Sequence, residues 1–355
     1  MLHGLHSPFV RRPTPVVLHH SSSRLHAELT ISRLLAFEGP NLLGPHPAVL
    51  LECRAASGQA RRLREALKDA ALRAGVVIGA LDVGGEPLAA AFTTPTPALG
   101  AELARLVVAG LNAGATWDAD EALWELARRR RAEAPPVAAL QLIAEAGARG
   151  VPAFIHAGQL QLGYGARGRS LSLAALAGNT IRPDAIPIGP AAPVPQPAVQ
   201  VEWERLGTIP VFAISGGEGR PAAARAIAQR LRARGIAAGL LESATFDAAR
   251  ALLADPSVEA AVIGLEPGDL ARRGLPFERC AACALLGLPP PLPEFPDRAE
   301  LARALGVPLL VTAPEGRAAL AAGVPEIAAL AAYAPCPVVW LTGGPEAAAA
   351  LAEPT

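Results

Sequence analysis

Ile209-Pro-Val-Phe-Ala-Ile-Ser215, running into Gly216-Gly-Glu-Gly-Arg-Pro221, is the stretch that decides the fold. An apolar run of this length with β-branched and aromatic residues reads as a strand buried on both faces. The glycines after it make a turn. Pro221 then opens a helix, whose first turn tolerates a missing N–H, and Pro221–Arg234 is read as that helix with Gly235 as its stop. The alternation continues with strand Ile236–Leu241, helix Thr245–Leu253 and strand Val258–Gly264. Helix Asp297–Leu305, strand Val307–Thr312, helix Pro325–Tyr333 and strand Pro337–Leu341 follow. Apolar strands alternating with helices predict a mainly parallel sheet covered on both faces, an α/β architecture.

Upstream, the pattern changes. Thr30–Phe37 reads as a strand, Gly39-Pro40-Asn41 as a turn and Ala48–Arg54 as a second strand. Arg61–Ala74 carries an apolar stripe at helical spacing, and Gly75 stops it. Val76–Leu81 reads as a strand and Gly84-Gly85 as a turn. Leu99–Asn112 and Asp118–Arg131 read as helices, the latter with Leu123 and Trp124 inward, and the order is that of an α+β domain. Pro135-Pro136 breaks the chain before helix Val137–Ala148, strand Val151–His156 and the extended pieces Gln159–Tyr164 and Leu171–Leu176. Pro183, Pro187, Pro190, Pro193, Pro195 and Pro197 then mark a semi-rigid linker. The resulting division is a lead-in over 1–28, an N-terminal α+β domain over 29–134, a short segment over 135–180, a proline-rich linker over 181–205 and an α/β domain over 206–355.

Composition excludes several functions. Among 355 residues, 51% are hydrophobic, and 32 basic residues balance 32 acidic ones. That balance argues against a broad nucleic-acid or anionic-membrane footprint. No apolar run reaches the roughly 18 residues of a spanning helix, and Met1–His26 has no apolar signal core, so no export is expected. Four cysteines are too few for a disulfide framework, which points to a reducing cytoplasm. Lys68 is the only lysine and every histidine lies at or before His156. Residues 157–355 therefore offer no lysine phosphate clamp and no imidazole metal ligand.

A strand, a glycine loop and a helix are the setting of a phosphate loop. That chemistry needs convergent backbone N–H groups, a lysine on the outer phosphates and a hydroxyl on Mg²⁺. Here Gly216, Gly217 and Gly219 supply the loop, Arg220 stands at the lysine position and Pro221 at the hydroxyl position. Proline removes the metal ligand and an N–H together, and a forked guanidinium does not replace a compact ammonium. Glu218 adds negative charge where phosphate would sit. The loop is read as vestigial: Gly216, Gly217, Gly219 and Arg220 are its candidate cofactor-binding residues, with no catalytic and no metal residue assigned.

Four short segments carry a resemblance. They are Arg33–Asn41 with its Gly39-Pro40-Asn41, Gln159-Leu-Gln-Leu-Gly-Tyr-Gly165, Asp255-Pro-Ser-Val-Glu259, and Arg273-Gly-Leu-Pro-Phe277. In this order they resemble segments of the cyanophycin synthetase family: the opening of its N-terminal domain, the start of its ATP-grasp domain, and its Mur-ligase-like domain. The resemblance implies a Mur-ligase-like three-layer domain over 206–355 and a remnant of the ATP-grasp start over 135–180. The departures decide the function. Only about twenty residues separate Thr180 from the next domain, too few for an ATP-grasp fold. Gly264-Leu-Glu-Pro-Gly-Asp269 and Leu288-Pro-Pro-Pro-Leu-Pro293 stand where the family has metal-binding and A-D-H-L-G segments. Gly100–Val108 lacks the histidines of the zinc motif that some family N-terminal domains carry. Ligation through an acyl phosphate requires ATP, bridging Mg²⁺ and cationic groups on the transferred phosphoryl. The expectation is a degenerate, catalytically inactive member that associates with an active synthetase or with itself. ATP or Mg²⁺ enters only if the loop still binds. The alternatives are a weak ATP-dependent carboxylate-amine ligase working through Arg220, and a small-molecule module at the carboxyl ends of the strands.

Other constellations are read as structural. Cys280-Ala-Ala-Cys283 has only Cys336 as a further soft ligand nearby in sequence, too few for zinc, and reads as small buried residues on a strand. His46, Glu52 and Cys53 are not a zinc set, because Glu52 and Cys53 alternate across a strand. His3, His6, His19, His20 and His26 lie in the lead-in. Asp118, Asp120 and Glu121 open a helix, and Arg128–Arg131 form its solvated end or a dock for an acidic partner.

Overall fold

The computed structural model describes residues 28–55, 58–114, 118–178 and 200–353. The five lead-in histidines and most of the proline linker lie outside the described residues. The chain divides into two compact units. One holds the residues up to Glu133 together with Gly268–Leu275 and Pro291–Val307. The other holds Ala134–Pro267, Pro276–Pro290 and Pro308–Thr355.

The first unit contains β1 (Thr30–Phe37), β2 (Ala48–Arg54), α1 (Ala60–Ala74), β3 (Leu81–Gly84), β4 (Leu88–Thr93), α2 (Pro97–Ala113) and α3 (Ala119–Glu133). The strands form an antiparallel sheet in the order β1-β2-β4-β3. Strand alternation sorts the two faces. Leu34 and Ala36 of β1 join Val49, Leu51 and Cys53 of β2 in a core with Leu63, Leu67, Leu103 and Val107 of the helices. Arg33, Leu35 and Phe37 pair with Glu52, Leu50 and Ala48 and take the opposite face.

Two expectations change in this unit. Val76 does not begin a strand: Gly75, at φ 67°, closes α1, and Val76 donates its N–H to Ala71 at 2.9 Å. Its burial is that of the apolar residue that follows a left-handed helix cap, and the strand starts at Leu81. Leu123 is buried with Leu126 and Ala127, whereas Trp124 is 61% exposed. Leu123, Leu126 and Ala127 lie at i, i+3 and i+4 on one helix face, and Trp124, about 100° on from Leu123, falls outside that face.

The second unit opens with α4 (Val137–Ala148), β5 (Ala153–His156), β6 (Gln159–Leu162), β7 (Arg169–Ser172) and α5 (Leu173–Ala177); the three strands form a small antiparallel sheet. The expected extended piece Leu171–Leu176 is thus strand only to Ser172 and helix from Leu173 on. Then come β8 (Val211–Ser215), α6 (Arg220–Ala233), β9 (Ala238–Ala244), α7 (Phe246–Ala254), β10 (Ala260–Leu265), α8 (Pro267–Arg273) and β11 (Cys280–Leu285). The chain ends with α9 (Arg298–Leu305), α10 (Val307–Leu310), β12 (Thr312–Ala321), α11 (Pro325–Ala328) and β13 (Val338–Leu341). Six strands pair in the order β13-β12-β11-β8-β10-β9, all parallel. Phe212 and Ile214 pack against α6, and the alternate positions Val211, Ala213, Ala261 and Ile263 are equally buried. The sheet is therefore covered on both faces, as its apolar strands predict.

Two corrections follow here. The expected strand Val307–Thr312 is instead a short helix over Val307–Leu310 that leads into β12, because Pro308 sits comfortably in a first helical turn. The strand is instead the alanine-rich Thr312–Ala321, whose weak β propensity is overridden by burial in the sheet. The α/β domain is also not continuous over 206–355, since most of α8 and all of α9 belong to the first unit. Glu38 donates its N–H to the Arg273 carbonyl at 2.8 Å, Leu275 donates to Pro40 at 2.7 Å, and Arg33 pairs with Glu300 at 2.7 Å. Contacts separated by over two hundred residues leave no local signal in sequence.

Candidate functional site at the glycine loop

The motifs that carry the family resemblance dock on one another in pairs. Within the first unit, Glu38–Asn41 meets Arg273–Leu275. Arg273 pairs with Glu38 at 2.6 Å. Gly274, at φ 80°, lies so close that a Cβ would come within 2.5 Å of the Pro40 carbonyl. Asn41 is buried, with its amide donating to Gly39 at 2.8 Å and to His46 at 2.9 Å. Within the second unit, Gln161–Gly165 meets Asp255–Glu259. Ala166 donates to the Val258 carbonyl at 2.8 Å, and a Cβ on Gly165 would lie 2.3 Å from the same oxygen. The Asp255 carboxylate accepts from the Ser257 N–H at 2.9 Å and from its hydroxyl at 2.7 Å, shaping that turn. Tyr164 is buried, and its hydroxyl accepts from the Glu278 N–H at 3.3 Å. These motif residues make packing contacts and turns.

The glycine loop sits at the carboxyl end of β8, between that strand and α6. Ser215 is buried, with its hydroxyl donating to Ala284 at 3.4 Å. Gly216 takes φ 96°, and a Cβ there would meet the Gly287 carbonyl at 2.4 Å and the Leu286 nitrogen at 2.9 Å. Only glycine fits a loop pressed this close to the chain leaving β11. A cleft of 660 Å³ lies beside it, lined by Gly217–Pro221 and Leu286–Pro290.

The four predicted loop residues come together, but Arg220 does not reach outward. It is 9% exposed. Its Nη1 donates to the carbonyls of Gly216 at 2.8 Å and Gly217 at 3.2 Å, and Nη2 reaches the Ser243 hydroxyl at 3.4 Å. Nε is buried without a partner among the described residues. Burial lowers the Arg220 pKa, and the charge of Glu266 opposes that fall. Pro221 stands in the first turn of α6 and brings neither N–H nor hydroxyl. Glu218 is exposed at the tip. The arrangement binds the loop to its own arginine, leaving Glu218 as its outward charge.

The remaining candidates separate. Cys280, Cys283 and Cys336 are all buried. Burial pushes the Cys280 thiol up to about 12 and raises Cys283 well above its ordinary value. Cys280 contacts the Thr312 hydroxyl at 3.3 Å, on the strand beside it. Cys53 lies in the core, its thiol pushed up to about 11 by burial and then by the Glu52 charge. Glu52 faces the other way, onto Arg33. His46 gives its backbone carbonyl to Asn41. Asp118 caps α3, accepting from Asp120 at 3.1 Å and Glu121 at 3.3 Å, while Arg128 pairs with Glu125 and Arg129 with Glu102. Among the described residues, no group of three or more His, Cys, Asp or Glu is placed to hold a metal ion, and no helix is long and apolar enough to cross a membrane.

Sequence reasoning missed Ser243 and Glu266, which act on Arg220 from two other strand ends, and the triad of Arg33, Glu52 and Glu300. The triad did leave a signal. In Thr30–Phe37, Arg33 shares the strand face of the buried Leu35 and Phe37, so a charge had to be neutralised there.

Residues 28–341 match the profile of a family described as a domain of unknown function, DUF4938. That is most of the chain, and the chain belongs to this family. No curated protein matches it.

Proposed function

We propose that this chain is a catalytically silent relative of cyanophycin synthetase that works by association, either with an active ATP-dependent amide ligase or with further copies of itself. The observation that carries the reading is Arg220, whose guanidinium is spent on the carbonyls of Gly216 and Gly217. A phosphoryl-transfer site needs its cation and hydroxyl aimed at the phosphates, and removing one preorganised group of this kind lowers a rate by roughly 10²–10³. Here the cation turns inward and the hydroxyl is replaced by proline. The docking of the resembling motifs on one another adds support, because they are residues that hold a scaffold together. A protein that retains a scaffold without its chemistry has surfaces left to act with.

The test is isothermal titration with Mg-ATP followed by a turnover assay with acidic peptide primer and amino acids, alongside co-elution with a full-length synthetase on a sizing column. Absent binding and turnover together with co-elution, or with self-association, is the expected result. Conversion of ATP to ADP with peptide extension, abolished by Arg220→Ala, refutes the reading.

A further inference from the structure

We propose that the second unit holds a separate binding site, for a small organic anion bearing two or more carboxylate or phosphate groups, at the amino ends of its central strands. All strands of a parallel sheet begin at one edge, and ligands of open α/β sheets ordinarily sit at the other, carboxyl edge. Here a cleft of 780 Å³ opens where β8, β10, β11 and β12 begin. These are the four central strands of the sheet. The volume lies within the range of small-molecule sites. The glycine loop is at the opposite end of β8, so this site stands or falls independently of the proposed function.

The edge is built for something. Cys280 of β11 pairs with Thr312 of β12, but Ala282 pairs with Arg317. Ala313–Gly316 therefore leave the ladder and rejoin it at Arg317. The excursion depends on Gly316, because a Cβ there would lie 2.2 Å from the Ala281 carbonyl. Such bulges re-aim a side chain beside a site. Here the strand rejoins the sheet with an arginine that lines the cleft.

Charge gives the ligand class. Arg167, Arg234, Arg279 and Arg317 line the cleft, against Glu259, Glu315 and Glu353. Two of these carboxylates are engaged. Glu353 pairs with Arg230 at 2.8 Å, and Glu259 accepts the Ala237 N–H at 2.8 Å. Arg167, Arg279 and Arg317 form no ion pair among the described residues. With Glu315 as the third carboxylate, the four guanidiniums outnumber the carboxylates of the cleft by one, and an oxyanion takes the forks of the unpaired arginines with paired hydrogen bonds. Phe212, Leu231, Ile236 and Leu351 supply an apolar wall. An anion with several carboxylates or phosphates on a compact carbon frame matches both features.

The experiment titrates the full chain with citrate and, separately, with inorganic pyrophosphate, reading heat and melting temperature against sodium chloride at matched ionic strength. Saturable binding of at least one probe is expected, and the preferred probe tells carboxylate from phosphate recognition. Arg279→Gln/Arg317→Gln should weaken it at least tenfold. Both side chains reach solvent, so the double variant should melt like the parent without anion. Arg61→Gln/Arg128→Gln, the same charge change on α1 and α3 of the other unit, should bind as the parent does. Absence of saturable binding by both probes overturns the proposal. Binding that survives the double variant also overturns it, since the anion would then sit elsewhere, the glycine loop included.

Discussion

Replacing Arg33 by methionine removes a charge and keeps most of the bulk. Arg33 is 9% exposed and lies between Glu52 and Glu300, whose side chains are 20% and 21% exposed. Its Nη1 donates to the Glu294 carbonyl at 2.8 Å, and the guanidinium stacks over Phe295 at 5.2 Å. At the 2.7 Å separation from Glu300, one pair gains roughly 6 kcal/mol of Coulomb energy at an effective dielectric near 20. Desolvation of the three groups takes back most of that, so the triad as a whole is near neutral for stability. Arg33→Met keeps the desolvation of both carboxylates and deletes what offset it, and the expected loss is about 3–5 kcal/mol. Arg33→Met/Glu52→Gln/Glu300→Gln removes the stranded charges and should recover at least about half of it. Urea unfolding followed by circular dichroism measures both. Two units make a two-step transition admissible, in which case the step assigned to the first unit is the one that moves. The single-variant loss should persist in high salt, because a shielded pair is poorly screened. A loss under about 1 kcal/mol, or equal losses in the single and triple variants, would show that the carboxylates are solvated and the reasoning wrong.

Four further outcomes follow from the packing. Arg220→Ala should lower the stability of the second unit by about 2–3 kcal/mol, since it strands two carbonyls that accept from a charged donor; unchanged unfolding would show that the guanidinium does not hold the loop. Leu123→Ala should lose about 2–5 kcal/mol, and Trp124→Ala less than about 0.5, by the same urea assay. Gly274→Ala and Gly165→Ala should each lose clearly more than Gly235→Ala. All three have positive φ, but Gly235 has open space where the others meet a carbonyl, so Gly235→Ala carries only the roughly 1 kcal/mol of left-handed backbone. The thiols make stability fall in alkali. Unfolded cysteine ionises near 9 while Cys280 holds its proton to about 12, so above pH 9 the unfolded state binds fewer protons. Stability then drops by up to roughly 1.4 kcal/mol per pH unit per thiol, and native Cys280 and Cys283 should resist alkylation until the unit unfolds.

How much was legible depends on whether the determining contact was local. Thr30–Phe37, Ala48–Arg54 and Val137–Ala148 have the bounds their periodicity predicts. Each is delimited by its own glycines and prolines and by a clear apolar pattern. β4 (Leu88–Thr93) and β12 (Thr312–Ala321) escaped because alanine carries little strand signal, and in both it is the neighbouring strands that select the conformation. The glycine loop was legible as a loop, since a strand, three glycines and a helix cannot be read otherwise. The direction of Arg220 was not legible. It is set by the Gly216 and Gly217 carbonyls together with Ser243, which arrives from the end of β9, twenty-three residues on. The amino-end cleft was illegible for the same reason. Arg279 and Arg317 are ordinary solvent-facing residues in sequence, and only the parallel register, with its break between Cys280 and Ala282, sets them on one edge, where Arg167 joins them from the turn between β6 and β7. Short motifs therefore report where the chain packs, and the direction in which a charged side chain acts is decided by strands that the motif does not contain. That asymmetry is why Arg220→Lys alone is not expected to create a phosphate site: Pro221 would still bring neither an N–H nor a hydroxyl to the loop.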